Sequence, residues 1–380
     1  MTNILIKPVR TPGEKTLFLT FPWKLFRGDP LWVPPLMPDL RKNTDPRKGV
    51  FFKRGEAEFF TAWRDGKLVG TLCAAEDREM NEVRHKAECV FGFFNFIEDY
   101  QVFQALLQTA QEWATARHLN ILTGPFNLDY EDGYGVLVSG RERPGALMIN
   151  YTPAYYLPFY ERAGFGPLRG DNLAFALDLT TDNPALNDLG RMAERVKKQG
   201  RFSVRGADLA HWEDELERIY VLLNVALAHL PDWRPWPREV VFNSLAPFKD
   251  IADPELILFA EENGKTIGWL PGLPDLNEAF IHANGLRYPW DYLSLLWWMK
   301  QPRHCLTIKS VLLPPEYWGS GAIILLFDEM YRRARSKGYQ WIDASLTSDD
   351  NPRTPALAAR MGAVEYKRLR VFTKSIGNPS

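Results

Sequence analysis

The sequence predicts an α/β (α+β) protein of two similar domains, each a mixed, mostly antiparallel sheet flanked by helices. Three observations carry this. Leu306 to Lys337 reads as strand, glycine turn, helix. A strand–turn–strand pattern occurs once in each half. A chain of 380 residues that is 46% hydrophobic can fill two cores.

In the first half, Glu58–Trp63, Lys67–Ala74 and Ala87–Phe96 read as strands, with Arg64-Asp-Gly66 as a hairpin turn. Tyr100–His118 is an amphipathic helix, because Phe103, Leu106, Leu107, Ala110 and Trp113 share one face. Asn120–Thr123 begins another strand. Thr180-Thr-Asp-Asn183-Pro184 supplies linker residues, an N-cap and a proline at the first helical position, so the helix Pro184–Gln199 opens a second domain. The expected division is 1–180 and 181–380.

The second half repeats the pattern with Pro254–Ala260, the turn Glu262-Asn-Gly264 and Lys265–Trp269. Leu306–Leu313 is β-branched and leucine-rich, as a buried strand is, and Pro314-Pro315 stops it. The turn Glu316-Tyr-Trp-Gly319-Ser-Gly321 leads into a helix with Ile323, Leu326, Phe327, Met330 and Ala334 at helical spacing. Backbone N–H groups at such a helix start, with glycines letting a ligand come close, suit a phosphate or pyrophosphate. Gln340–Ser345 is the next strand, Asn351 lies in a polar loop, and Pro355–Arg360 is a short helix. Val364–Thr373 forms the closing strands.

At these residues the chain resembles the GNAT acetyltransferase superfamily, in which a strand is followed by Arg/Gln-x-x-Gly-x-Gly/Ala and a helix. Gly319 and Gly321 match the two glycines, and Glu316 departs from the Arg/Gln position. The resemblance covers roughly 180 to 375. In the first half, Tyr160-Glu-Arg-Ala-Gly164-Phe165 is similar to the family's closing motif. The aligned residues of the second half are Ala358, Gly362 and Ala363. A tandem GNAT-like arrangement follows: a first domain lacking the phosphate turn, with Glu98 and Asp99 at the helix start instead, and a second domain that has it.

The resemblance implies an acyl-CoA-dependent N-acyltransferase that takes acetyl-CoA or another acyl-CoA as co-substrate. It implies that acyl-CoA is held by Val311, Leu312, Leu313, Tyr317, Trp318, Gly319, Ser320, Gly321 and Asn351. Glu278, then Asp275, are the expected general bases, and capping or turn formation is the plainer account of both. Asn127 and Asp129 lie on the polar, glycine-rich Gly124–Gly135 segment, which is either an amine-binding loop or a surface turn. With Tyr156 and Trp233 they are the candidate acceptor contacts, Trp233 on a loop expected to overhang the acceptor. Two further readings stand beside this one: a Fem-like aminoacyl or peptidyl transferase, and a non-catalytic ligand-binding protein of GNAT fold.

A formal net charge of −1 argues against nucleic acid as the main partner. The expected acceptor is a small-molecule or peptide amine. Six histidines show no metal-ligand spacing, and no metal is expected. Cys73, Cys89 and Cys305 read as buried thiols in a reducing compartment. No apolar run approaches the ~20 residues of a membrane span, and a cytoplasmic location is expected. Oligomeric state is open.

Overall fold

The computed structural model describes residues 4–128, 132–229, 235–250, 252–351 and 353–377. The chain begins with β1 (Leu5–Pro8), α1 (Pro12–Leu25), α2 (Met37–Asn43), β2 (Gly55–Arg64), β3 (Lys67–Asp77), α3 (Arg78–Arg84) and β4 (Glu88–Phe96). The β2–β3 hairpin closes through Asp65 and Gly66 at φ 50° and 71°, the left-handed pair that a two-residue hairpin turn needs. α4 (Tyr100–Thr115) starts at Asp99, whose carboxylate accepts from Gln101 N–H at 2.8 Å and binds Arg64 at 2.6 Å. A carboxylate thus occupies this helix start. β5 (Ile121–Gly124), β6 (Val136–Ser139), α5 (Tyr156–Arg162), β7 (Gly166–Pro167) and β8 (Asn172–Asp178) follow.

The second half opens with α6 (Pro184–Lys198), capped by Asn183, whose side chain accepts from Ala185 N–H at 3.0 Å. Then come β9 (Phe202–Gly206), α7 (Trp212–Ala226), α8 (Arg238–Leu245), β10 (Ile257–Glu262), β11 (Lys265–Pro271) and β12 (Leu273–Pro274). α9 (Asn277–Phe280), α10 (Pro289–Met299), β13 (Cys305–Ile308), α11 (Ala322–Ser336), β14 (Trp341–Ser348), α12 (Arg353–Arg360), β15 (Val364–Arg370) and β16 (Phe372–Ser375) complete the chain.

Among the described residues, one sheet has the order β1-β2-β3-β4-β5-β16-β7, a second β12-β13-β14-β8-β15-β6, and a third β11-β10-β9. The ladders are antiparallel except β4/β5 and β13/β14, which are parallel. Each parallel pair is joined by a helix on the sheet face, α4 in one and α11 in the other, as a crossover requires. The architecture is the mixed α/β one the sequence predicts.

The halves also exchange strands. β16 lies between β5 and β7, while β6 and β8 belong to the sheet of β13 and β14. Phe372 of β16 is 1% exposed and stacks on Tyr160, with ring centroids 4.7 Å apart. Tyr160 is fully buried among Phe91, Phe103 and Phe165, and its hydroxyl has no hydrogen-bond partner among the described residues. It packs, as a core aromatic does. The three cysteines are free and buried, as expected.

Candidate active site

The expected strand 306–313 is not continuous, and the break makes the site. β13 and β14 keep register from Cys305 opposite Trp341 to Ile308 opposite Ala344, and then part. Leu312 exchanges two 2.9 Å backbone hydrogen bonds with Trp269 of β11, whereas β14 continues along β8 as far as Ser348 opposite Asn172. Lys309, Ser310 and Val311 span the opening. Val311 is 38% exposed, and its N–H has no partner among the described residues.

A cavity lies on each side of the opening. The inner one, about 250 Å³, is walled by Phe327 and Met330 of α11, Leu357 and Ala358 of α12, and Ile308 and Ile342 of the parted strands. The outer one, about 540 Å³, lies under α7 and α8 with Leu227, Val241, Leu245 and Trp269 in its wall. Tyr134, Arg169 and Asn172 enter the outer cavity from the first half of the chain. Arg169 donates to the Tyr134 hydroxyl at 2.8 Å, and Asn172 donates to the same oxygen. Lys309, Ser310, Ser345 and Leu346 line both cavities.

A buried polar cluster sits at this junction. Lys309 Nζ is 2.7 Å from Asp343 Oδ2 and 2.7 Å from Ser345 Oγ. Ser345 donates to Asp343 Oδ2 at 2.7 Å, and the Tyr366 hydroxyl donates to Oδ1 at 2.8 Å. The Asp343 carboxylate is fully buried, so its charge depends on these donors. Burial, then the Asp343 charge, pushes the Tyr366 hydroxyl far above its ordinary range, which keeps it a donor. The cluster combines an ammonium and a carboxylate on one edge of the opening, a pair able to give and take protons.

The turn before α11 is built from two glycines in the left-handed region. Gly319 and Gly321 have φ 78° and 97°, and the N-cap residue Gly321 carries no side chain to cap α11; the Ile324 N–H bonds the Gly321 carbonyl at 3.0 Å, and the Ile323 N–H has no partner among the described residues. A Cβ on Gly321 would lie 2.9 Å from Val196 Cγ2, whereas one on Gly319 would meet open space. Ser320 Oγ accepts from Ala322 N–H at 3.4 Å. The Tyr317 hydroxyl donates to Glu262 at 2.9 Å and the Trp318 indole to the Leu313 carbonyl at 2.9 Å, so both side chains fasten the turn. Glu316 is exposed. Asn351 precedes α12 and donates to Thr354 Oγ1 at 3.1 Å.

The expected general bases lie elsewhere. Both Glu278 oxygens accept from backbone amides, His304 N–H at 2.9 Å and Cys305 N–H at 2.9 Å, at the start of β13 and so at the end opposite the opening. Asp275 Oδ1 accepts from Leu147 and Asn277 N–H at 2.9 and 3.1 Å, and neither residue lines either cavity. Burial pushes the Asp275 carboxyl up to about 7. These are capping contacts. Tyr156 is 2% exposed, stacked on Phe96 at 4.2 Å, with its hydroxyl accepting from Phe96 N–H. It is core, not a cavity wall. Asn127 Oδ1 accepts from Phe93 N–H at 2.7 Å and borders a separate cavity of the first half. Asp129 and Trp233 lie outside the described residues, although Trp236, from the same loop as Trp233, lines the outer cavity.

Lys309, Asp343, Ser345 and Tyr366 were not among the expected residues. Their signal was a lysine inside the apolar run Leu306–Leu313 and the two-residue spacing of Asp343 and Ser345, which puts both on one face of β14.

Residues 213–363, which contain Lys309, Ser310, Val311, Asp343 and Ser345, match the acetyltransferase (GNAT) family. The fold of the chain is GNAT-like. The family match supports an acyltransferase. The chain is 27% identical over 387 residues to the bacterial ceramide synthase of Caulobacter vibrioides, with 98% of each chain covered. It is 25% identical over 396 residues to protein YghO of Escherichia coli K12, covering 99% of this chain and 98% of that one. Its fold is that of a tandem GNAT protein from the clavulanic acid biosynthesis pathway, with TM-score 0.57, 14% identity and 100% of both chains covered. Among the described residues no helix is long and apolar enough to cross a membrane, and no cluster of potential metal ligands occurs.

Proposed function

We propose that the protein is an N-acyltransferase that moves an acyl group from acyl-CoA to an amine carrying a long alkyl chain. The carrying observation is that Lys309, Ser310, Ser345 and Leu346 line both cavities, so the two substrates meet at this edge. The inner cavity, between α11 and α12, receives acyl-CoA. The outer cavity receives the amine. Its wall of leucine, valine and tryptophan favours an apolar chain, and the ceramide synthase name of one relative points to the same class.

In the reaction the N–C bond of the amide forms as the C–S bond of the thioester breaks. Asp343, through the Ser345 hydroxyl that lines both cavities, takes the proton the amine loses. Lys309 gives a proton to the departing sulphur. Asp343 then returns its proton to Lys309 across their 2.7 Å contact, which restores the pair. The Val311 N–H, which has no partner among the described residues, polarises the thioester carbonyl.

A matrix of acyl-CoA chain lengths against amines, read by free thiol release and by mass of the amide, tests this. Turnover should rise with the alkyl length of the amine. Equal turnover on short polar amines would overturn the substrate class, and no amide with any pair would overturn the acyltransferase reading.

A further inference from the structure

α10 is folded with its apolar side out. Trp290, Leu293, Leu296 and Trp297 are 63, 70, 61 and 58% exposed and form one helical stripe. A second stripe, about a third of a turn away, is the attached one: Asp291 is 5% exposed and accepts from Tyr288 N–H at 2.9 Å, Ser294 donates to the His282 carbonyl at 2.9 Å, and Trp298 stacks on His282 at 3.6 Å. Water faces the residues that lose most from it, which marks an interaction surface. The charges of its own chain segment share one sign where exposed. From 284 to 304 the cations are Arg287, Lys300 and Arg303, and the lone acid is the buried Asp291.

We infer that α10 docks the protein on an anionic lipid bilayer. Indole rings and leucines on one face, with cations at the helix ends, suit the interface between headgroups and acyl chains. Tyr288, stacked on Trp290 at 4.8 Å and 42% exposed, adds a ring at headgroup level. Eleven residues span only about 16 Å as a helix, so α10 lies in the interface and does not cross it. A second copy is a poor occupant, because two-fold pairing of these stripes sets Arg287, Lys300 and Arg303 against like charges, whereas phosphatidyl anions neutralise them. α10 rests on α9 and the turn after it. Phe280 and Asn277 of α9 also border a cavity of about 580 Å³. The docking does not depend on the acyl-transfer reading.

Flotation of the full-length protein with phosphatidylcholine vesicles, with and without phosphatidylglycerol, tests it. Binding should be at least about tenfold stronger with the anionic lipid and should weaken in salt. Leu293→Glu with Trp297→Glu should cut binding about tenfold or more without moving the thermal transition, since both side chains are exposed. Lys300→Glu should weaken binding to anionic vesicles only. Absence of flotation at low salt would overturn the proposal. So would a wild-type dimer in light scattering that the double variant splits while vesicles bind neither.

Discussion

Lys309 Nζ sits 2.7 Å from Asp343 Oδ2 at the point where β13 and β14 part. Lys309 is 18% exposed and Asp343 fully buried, so the contact is poorly screened, and removing either partner has unequal consequences.

Asp343→Asn leaves a nearly buried ammonium with the Ser345 hydroxyl and a neutral amide. We expect a loss of about 3 kcal/mol in urea unfolding, with turnover largely gone. Lys309→Met leaves Asp343 with donors from Ser345 and Tyr366, so it should cost less stability. Its turnover should still fall about a hundredfold or more, with KM for acyl-CoA within about threefold. Unchanged turnover in Lys309→Met would remove the pair from the chemistry.

The glycine turn gives a graded test. Gly321→Ala combines φ 97° with a 2.9 Å approach to Val196, so it should cost about 1–2 kcal/mol in stability and weaken CoA binding. Gly319→Ala has only the φ cost, about 1 kcal/mol, because its Cβ meets open space. Glu316→Gln, at an exposed position, should change CoA affinity less than about fivefold, under roughly 1 kcal/mol, by calorimetry. A hundredfold gain would mean the native carboxylate opposes the pyrophosphate and would favour a non-catalytic role.

The elements and the glycine turn were legible because they rest on local rules: alternation, helical spacing, capping and turn residues. Asn183, Asp65-Gly66, Asn263-Gly264 and Gly338 all do what their types require. The reactive edge was less legible. Lys309 and Asp343 are 34 residues apart and meet only through the parallel pairing of β13 with β14. Asp275 and Glu278 drew attention as acids in a proline-broken region. Their oxygens are taken by backbone amides contributed by Leu147, His304 and Cys305, partners that local spacing does not reveal.

The exchanged strand makes a prediction about cooperativity. Phe372 fills the first-half core against Tyr160, and β16 pairs with both β5 and β7. Phe372→Ala should cost about 3–5 kcal/mol. Truncation after Arg370 should expose the β5 and β7 edges and give aggregation in size-exclusion chromatography. For the same reason a cut at 180 removes β6 and β8 from the sheet of β13, and neither piece should fold alone. Two independently melting pieces would contradict the exchange.

Asp275 gives the pH prediction. Burial raises its carboxyl from 3.8 to about 7, so between those values the folded protein holds a proton that the unfolded chain has released. The unfolded state binds fewer protons there, and stability therefore falls as pH rises from about 4 to about 7, with the full penalty present above 7. Asp275→Asn keeps an oxygen for the Leu147 and Asn277 amides and carries no charge. We expect it to be more stable than the wild type at pH 8, on the order of 2 kcal/mol, and equally stable near pH 4. Urea titrations at both pH values check this. A variant destabilised at pH 8 would mean that the carboxylate is held charged by contacts stronger than its burial.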